Sequence, residues 1–357
     1  MKKISSKSLL KTITPKKIIW PILVGLSVAA YLVVKDFDKE AFLAIEWDFY
    51  TLFWIGLALT MFFGRAYGYM ARIRLLSDKH LSWKKSFDVI MLWEFASSIT
   101  PSIIGGTAFA FFLLIKEKIG AGRSTAIVLI TALLDELFFI ILTPITILLV
   151  GWTLIFPSMT STDLHLLFGG NSLIALFLIG YFILFAYTLF LVYGLFINPR
   201  GLKWILAKVA TIGFLKKWKP NLLDAGDELI VASKEFKHKS VGFWLKALGA
   251  TFITWFCRYM ELNLIVLAFG TTIFSEQLLI FARQFILWII MLIPVTPGGS
   301  GVAEIMFPIF LKGYLPIGLE EAVGVLWRLI GYYPYLIIGA ILLPRWLRRV
   351  YSKKATM

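Results

Sequence analysis

The chain has 357 residues, of which 59% are hydrophobic and only 16% are charged. Soluble globular domains average about 45–50% apolar and about 25% charged residues, so this composition excludes a soluble enzyme, a disordered chain and a small secreted domain. The net charge of +15, in a membrane protein, indicates basic loops and contact with anionic lipid rather than with nucleic acid.

Six stretches are apolar enough to form membrane-spanning helices, since a bilayer core of about 30 Å requires about 20 mostly apolar helical residues. In chain order these predicted spans are 18–34, 50–71, 124–150, 167–198, 247–270 and 319–343. The first span is followed by charged residues rather than by a cleavage site of small residues. It is therefore predicted to be an anchor and not a signal peptide.

Two further apolar stretches, 86–115 and 277–311, are interrupted and predict re-entrant hairpins. Their arms of about 11–18 residues are mostly too short to cross the bilayer. Proline removes a backbone donor and glycine unwinds a helix, so such breaks require a protein or water-filled neighbour at membrane depth. The predicted break residues are Thr100, Pro101, Gly105, Gly106, Thr296, Pro297, Gly298, Gly299 and Gly301.

The connections between these segments differ in charge. The basic ones are 1–17, 72–85, 116–123, 199–246 and 344–357, whereas the others are acidic. The excess of Lys and Arg in cytoplasmic loops places this basic set, and both termini, in the cytoplasm. The long connection 199–246 interleaves apolar and basic residues, which favours an amphipathic helix on anionic headgroups, the alternative being a solvated linker.

The order of two spans, a hairpin and one span occurs twice with opposite orientation, in 18–150 and in 167–343. Residues 63–65 (Phe-Gly-Arg) in the first unit correspond to residues 256–258 (Phe-Cys-Arg) in the second. Inverted repeats of this kind build transporters whose broken helices meet near the bilayer midplane. The predicted fold is an all-α integral membrane protein with six spans and two re-entrant hairpins in two inverted repeats. The predicted divisions are an N-terminal segment 1–17, repeats 18–150 and 167–343, an outer loop 151–166 and a tail 344–357.

Charged residues inside the predicted segments are candidates for a binding site, because charge within a bilayer is costly and pairs or lines a cavity. The residues predicted to surround a lipid head group are Arg65, Arg258, Arg328, Glu94, Asp135, Glu261 and Glu304. Two local alternatives remain open. Arg258 and Glu261 are one turn apart and could pair with each other, and Glu304 could cap a helix start. Asp88, Glu136 and Arg283 carry less weight, because an interfacial position would also explain them.

Metal and cofactor chemistry has little support in the sequence. The single Cys257 excludes a disulfide framework, and the three histidines lack a second ligand at metal spacing. The glycine-rich stretch has no following lysine as in a nucleotide-binding loop. We therefore expect no metal, no cofactor and no catalytic residue.

The stretch 294–304, Pro-Val-Thr-Pro-Gly-Gly-Ser-Gly-Val-Ala-Glu, followed by Arg328, resembles the hallmark of the lysylphosphatidylglycerol synthase transmembrane family. Residues 100–106 resemble that family's first glycine-containing motif, and the resemblance covers about 18–343. It implies an eight-segment helical membrane domain, a lipid flippase in some members, with re-entrant helices around a head-group cavity. In bifunctional members a soluble aminoacyltransferase domain follows. No segment here is long and polar enough for that domain, so lysyl transfer is not expected.

Three functions remain after these observations. The leading hypothesis is a flippase-like protein of the bacterial cytoplasmic membrane that translocates or binds an anionic phospholipid or a polyprenyl-phosphate lipid. The second is an accessory or scaffold subunit of a lipid or envelope pathway, acting as a homo-oligomer or with a protein partner. The third is a membrane transferase that modifies a lipid with Glu304 or Asp135 as its base.

Overall fold

The computed structural model describes residues 40, 43, 47–99, 103–157, 172–209, 219–270, 272–292, 309–315 and 319–352. Across these ranges the regular structure is entirely helical. The helices are α1 (Phe49–Leu76), α2 (Trp83–Ile99), α3 (Ile103–Lys116), α4 (Ala121–Val150), α5 (Trp152–Ile155), α6 (Leu173–Val192), α7 (Pro199–Val209), α8 (Lys219–Lys237), α9 (Val241–Phe269), α10 (Phe274–Ile290), α11 (Glu320–Gly331) and α12 (Tyr333–Ser352). A π-helical turn, Tyr193–Ile197, extends α6.

Five of these helical segments are long and apolar enough to cross a membrane: α1, α4, α6 with its π turn, α9, and residues 326–350 of α11 and α12. They coincide with five of the six predicted spans, so the chain is an all-α, multipass membrane protein. The first predicted span, 18–34, lies outside the described residues. The last was predicted as one helix over 319–343, but it is divided at Tyr332 and continues to Ser352. Pro334 explains the division, because proline has no N–H to donate to the carbonyl of residue 330 and its ring would clash with that carbonyl in a continuous helix.

Helices α1 and α9 pack along each other in antiparallel orientation. Thr51 Oγ1 donates to the carbonyl of Ala268 at one end, at 3.2 Å, and Gly68 lies against Thr254 towards the other. A Cβ atom at Gly68 would lie 2.3 Å from Thr254 Oγ1, so a side chain there would force the helices apart. Membrane helices associate mainly by such close packing of small residues. Gly64 and Gly68, four residues apart, provide it here.

Helices α2 and α3 form an antiparallel pair. Lys85 Nζ lies 3.3 Å from Glu117 Oε2 at one end, and Gly106 lies against Ser97 at the other. The prediction that Gly105 and Gly106 break the helical structure of 86–115 is wrong, because both are helical residues of α3. A Cβ at Gly106 would lie 2.0 Å from Ser97 Oγ, so this glycine allows the two helices to approach. The other predicted break residues, Thr100, Pro101, Thr296, Pro297, Gly298, Gly299 and Gly301, lie outside the described residues.

The remaining helices surround these pairs: α12 packs on α2, α10 on α4, and α8 on both α4 and α7. We use the name basic end for the end of the bundle where α1, α3 and α12 finish and α2, α4 and α9 begin. The described parts of the connection 199–246 lie there as α7, α8 and the start of α9. Trp204 and Ile205 of α7 are exposed, and Lys208 Nζ lies 5.3 Å from the centre of the Trp204 ring.

Candidate functional site

The first polar group inside the helical bundle is centred on Arg65 of α1, which is 5% exposed. Its Nη2 donates to Glu94 Oε2 of α2 at 2.7 Å, and its Nη1 donates to the carbonyl of Gly331 at 3.0 Å. The guanidinium carbon also lies 4.6 Å from the centre of the Tyr335 ring. Arg65 thus connects α1 and α2 with the division between α11 and α12. Two predicted site residues, Arg65 and Glu94, are therefore in direct contact.

The second polar group is centred on Arg72, two turns further along α1 and 2% exposed. Its Nη2 donates to Asp135 Oδ2 of α4 at 3.1 Å, and its Nη1 donates to Thr251 Oγ1 of α9 at 3.0 Å. The indole Nε1 of Trp255 donates to Asp135 Oδ1 at 2.7 Å. Asp135 is thereby held from two sides, by a guanidinium on α1 and by an indole on α9.

A cavity of about 80 Å³ lies between the two groups. This is room for several water molecules or for a small anionic group. Its lining residues are Tyr69, Arg72, Ile73, Ile90, Trp93, Glu94, Thr131 and Asp135. One guanidinium and two carboxylates thus meet in a pocket whose remaining wall is largely apolar and aromatic. Such convergence of a few polar groups in an apolar pocket is typical of ligand sites.

The other predicted site residues lie beside this cavity or outside the described residues. The proposed Arg258–Glu261 ion pair is absent. The Arg258 guanidinium carbon instead lies 5.0 Å from the centre of the Trp255 ring, whereas Glu261 Oε1 faces Gly331. The two side chains leave α9 in different directions, which explains why residues one turn apart do not pair. Arg328 lies over Tyr332, 5.7 Å from its ring centre, and Glu304 lies outside the described residues.

Arg72 is the central residue that sequence reasoning missed. It was assigned to the basic connection 72–85, but α1 continues to Leu76 and buries it. Its seven-residue separation from Arg65 was an available signal, because residues i and i+7 lie on the same helix face. Thr251 and Trp255 were also missed, and nothing in their local sequence distinguishes them from core residues.

Two other charged contacts fasten helices together away from the cavity. At the basic end, Arg349 of α12 contacts Glu117 and donates to Asp88 Oδ2 at 2.7 Å, and Trp346 Nε1 also donates to Glu117, at 3.0 Å. At the opposite end, Arg283 of α10 donates to two backbone carbonyls. These side chains satisfy charged groups and carbonyls near the helix ends, which is a structural role.

Asp78, in the turn after α1, accepts hydrogen bonds at the basic end from Lys239 Nζ, at 2.7 Å, and from Arg123 Nη2. Burial raises the pKa of Asp78, but these two cations outweigh it and hold the pKa below its usual range. The residue has a positive φ of 49°, a conformation that Asn also tolerates.

We expect Asp78→Asn to keep the turn and to lower the melting temperature slightly at neutral pH, because a partly exposed pair contributes about 0–1 kcal/mol. A depressed carboxyl pKa stabilises the folded state above the unfolded value of about 3.9, and this stabilisation is lost as the pH falls through the folded pKa. The difference between wild type and Asp78→Asn should therefore vanish in acid. Thermal unfolding in detergent across this range would measure it, and a difference independent of pH would contradict it.

Among the described residues, no group of three or more His, Cys, Asp or Glu side chains is placed to hold a metal ion.

Comparisons with known proteins place this chain in a family. The family model described as the lysylphosphatidylglycerol synthase TM region matches residues 18–339. A protein of Archaeoglobus fulgidus named UPF0104 membrane protein is 27% identical over 283 residues, covering 76% of this chain and 79% of the relative. No solved structure matches the chain significantly. The family match confirms the resemblance predicted from residues 294–304.

Proposed function

We propose that this chain, which belongs to the lysylphosphatidylglycerol synthase transmembrane family, is a flippase-like protein that binds a lipid head group beside Arg72 and translocates it. The observation that carries this proposal is the cavity in which Arg72, Glu94 and Asp135 converge inside the helical bundle. Charge within a membrane domain is costly and marks substrate pathways.

A phosphate is the group that suits Arg72 best, because guanidinium offers planar, two-pronged hydrogen bonding to phosphate oxygens. In this structure Asp135 occupies that position on the guanidinium. Binding of a phospholipid or polyprenyl phosphate then requires the phosphate to replace this carboxylate. Glu94, on the other wall, can accept hydrogen bonds from hydroxyl or amino groups of the same head group.

The packing supports two inverted repeats as the frame for this movement. Helices α1 and α9, predicted to be counterparts, lie antiparallel, and Gly64 meets Cys257 at their crossing. Helix α2 of the first repeat packs on α12 of the second repeat. Its predicted counterpart, α10 of the second repeat, packs on α4 of the first, so each repeat packs one of these helices against the other repeat. We propose that α2 and α3 enter and leave from the cytoplasmic side as a re-entrant hairpin. The basic end then faces the cytoplasm, as the loop charges predict.

The contacts of Asp135 favour translocation over the transferase hypothesis. Both carboxylate oxygens of Asp135 accept hydrogen bonds from Arg72 or Trp255, so both are already engaged and neither is placed to take a proton from a substrate. We therefore propose that the chain does not itself perform acyl transfer.

The proposal is tested by reconstitution into liposomes that contain fluorescent phosphatidylglycerol or fluorescent polyprenyl phosphate. A membrane-impermeant reductant quenches only the outer leaflet, so the slow phase of quenching reports translocation. We expect the purified protein to accelerate that phase for at least one of the two lipids. Rates equal to those of empty liposomes for both lipids would contradict the proposed function. Mass spectrometry of co-purified lipids would identify the natural head group.

A further inference from the structure

Glu261 of α9 is a buried acid that does not line the proposed head-group cavity beside Arg72. It is 1% exposed, and neither carboxylate oxygen has a hydrogen-bond partner within the described part of the chain. It lies against Gly331, where an added Cβ would be 2.1 Å from Oε1. The carbonyl of Gly331 accepts from Arg65. Because an unpaired buried carboxylate is costly, such a group takes up a proton or acquires a cation in another conformation.

Arg258 is a cation on the same helix as Glu261, one turn before it. It is half-buried and stacks on Trp255, and it forms no ion pair among the described residues. The indole of the same Trp255 donates to Asp135, which also accepts a hydrogen bond from Arg72. A continuous series of contacts therefore runs from Arg258 through Trp255 and Asp135 to the head-group cavity.

We propose that Glu261 is a proton-binding site that controls access of the head group to Arg72. While Glu261 holds a proton, Arg258 stays on Trp255, and Trp255 keeps Asp135 on Arg72. When the O–H bond breaks and the proton passes to water, the carboxylate attracts Arg258 across one helical turn. Trp255 then loses its stacking partner, and its hold on Asp135 weakens. Arg72 becomes available to a phosphate, so the proton and the head group bind in alternation.

The surroundings of Glu261 single out Arg258 as the group that responds. The charged and titratable groups that interact with it electrostatically, among the described residues, are Arg65 on α1 and Cys257 and Arg258 on its own helix. Arg65 and Arg258 are the cations that act on it electrostatically. Arg65 is already held by Glu94 and by the Gly331 carbonyl. This inference rests on the proposed function for its role in transport, but proton binding can be measured separately.

The transport test compares wild type with Glu261→Gln, which mimics the protonated acid, in liposomes that carry fluorescent phosphatidylglycerol. We expect wild-type translocation to slow several-fold from mildly alkaline to mildly acidic buffer. Glu261→Gln should be slow at both values. Glu276→Gln is the matched control, since Glu276, a partly exposed acid at the start of α10, accepts from the Ile273 amide and Gln can do the same. It should follow the wild type. A wild-type pH dependence retained in Glu261→Gln would overturn the proposal.

A second variant and a second measurement keep the inference testable if Glu261→Gln folds poorly or if no lipid is translocated. Arg258→Gln should also remove the pH dependence of translocation, because it removes the responding cation, and its retention would overturn the proposal. Infrared spectroscopy should show a carboxylic-acid carbonyl band that titrates in wild type and Glu276→Gln and is missing in Glu261→Gln. Absence of that band would sink the proton site. Its presence without translocation would refute only the proposed function.

Discussion

Replacement of Arg72 by Met together with Asp135 by Asn is expected to abolish lipid translocation and to leave the protein nearly as stable as wild type. The double variant removes the charge of both partners, and the new amide side chain on α4 still offers an oxygen to the Trp255 indole. Substituting both members of a buried ion pair by neutral groups is often close to neutral for stability. We expect a change in unfolding free energy within about 2 kcal/mol.

The single variant Arg72→Met should be the least stable of the set. It leaves the partly buried carboxylate of Asp135, whose side chain is 20% exposed, without its cation. Breaking a fully buried pair in this way costs about 3–5 kcal/mol, so we expect a loss towards the lower end of that range. Melting temperatures in detergent would give the order, with the double variant above the single one. Such an order separates the role of Arg72 in folding from its role in transport.

The matched control is the exposed pair Arg123–Asp78 at the basic end. The double variant Arg123→Met with Asp78→Asn removes the same kinds of side chain from a site remote from the cavity. It should translocate lipid at the wild-type rate and lose at most about 1 kcal/mol of stability. If Arg72→Met with Asp135→Asn translocates as fast as this control, the cavity beside Arg72 is not the head-group site.

Hydropathy is sufficient to predict the membrane-spanning helices but not their ends. Five spans coincide with helices because about 20 consecutive apolar residues have few alternatives to a transmembrane helix. The end of α1 was misplaced at residue 71, because Arg72 and Arg74 lower the local hydropathy although the helix continues to Leu76. A sequence-based hydropathy profile counts a buried, paired arginine as a loop residue, since it contains no information about the partner.

The candidate site was predictable in its residue types but not in its pairing. Arg65, Glu94 and Asp135 were identified because charge in a bilayer is costly, whereas Arg72 was missed. Their partners lie on other helices: Arg65 contacts a carbonyl 266 residues away, and Arg72 contacts an acid 63 residues away. The one local pairing considered, Arg258 with Glu261, is the one that does not form. Tertiary packing, rather than helical spacing, decides these contacts.

Gly64 of α1 offers a direct test of the crossing between α1 and α9. A Cβ atom built there lies 3.7 Å from Cβ of Cys257, within the separation of about 3.5–4.5 Å found in disulfides. Cys257 is the single cysteine of the chain, so Gly64→Cys creates one defined pair. We expect the variant to form an intramolecular disulfide on oxidation, visible as a loss of two alkylatable thiols in intact-protein mass spectrometry.

The disulfide should stabilise the protein by about 2–5 kcal/mol, because it closes a long loop in the unfolded chain. Gly56→Cys on the same helix is the control, since a Cβ there meets nothing within 4 Å. In this variant both the new cysteine and Cys257 should remain reduced. Equal oxidation of both variants would refute the crossing.

We also expect the cross-linked protein to translocate lipid at close to the rate of the reduced protein. In inverted-repeat transporters the repeats rock around a central axis, and a bond between counterpart residues at that axis restrains the least movement. Loss of translocation on oxidation, reversed by reduction, would instead show that α1 and α9 slide past each other during transport.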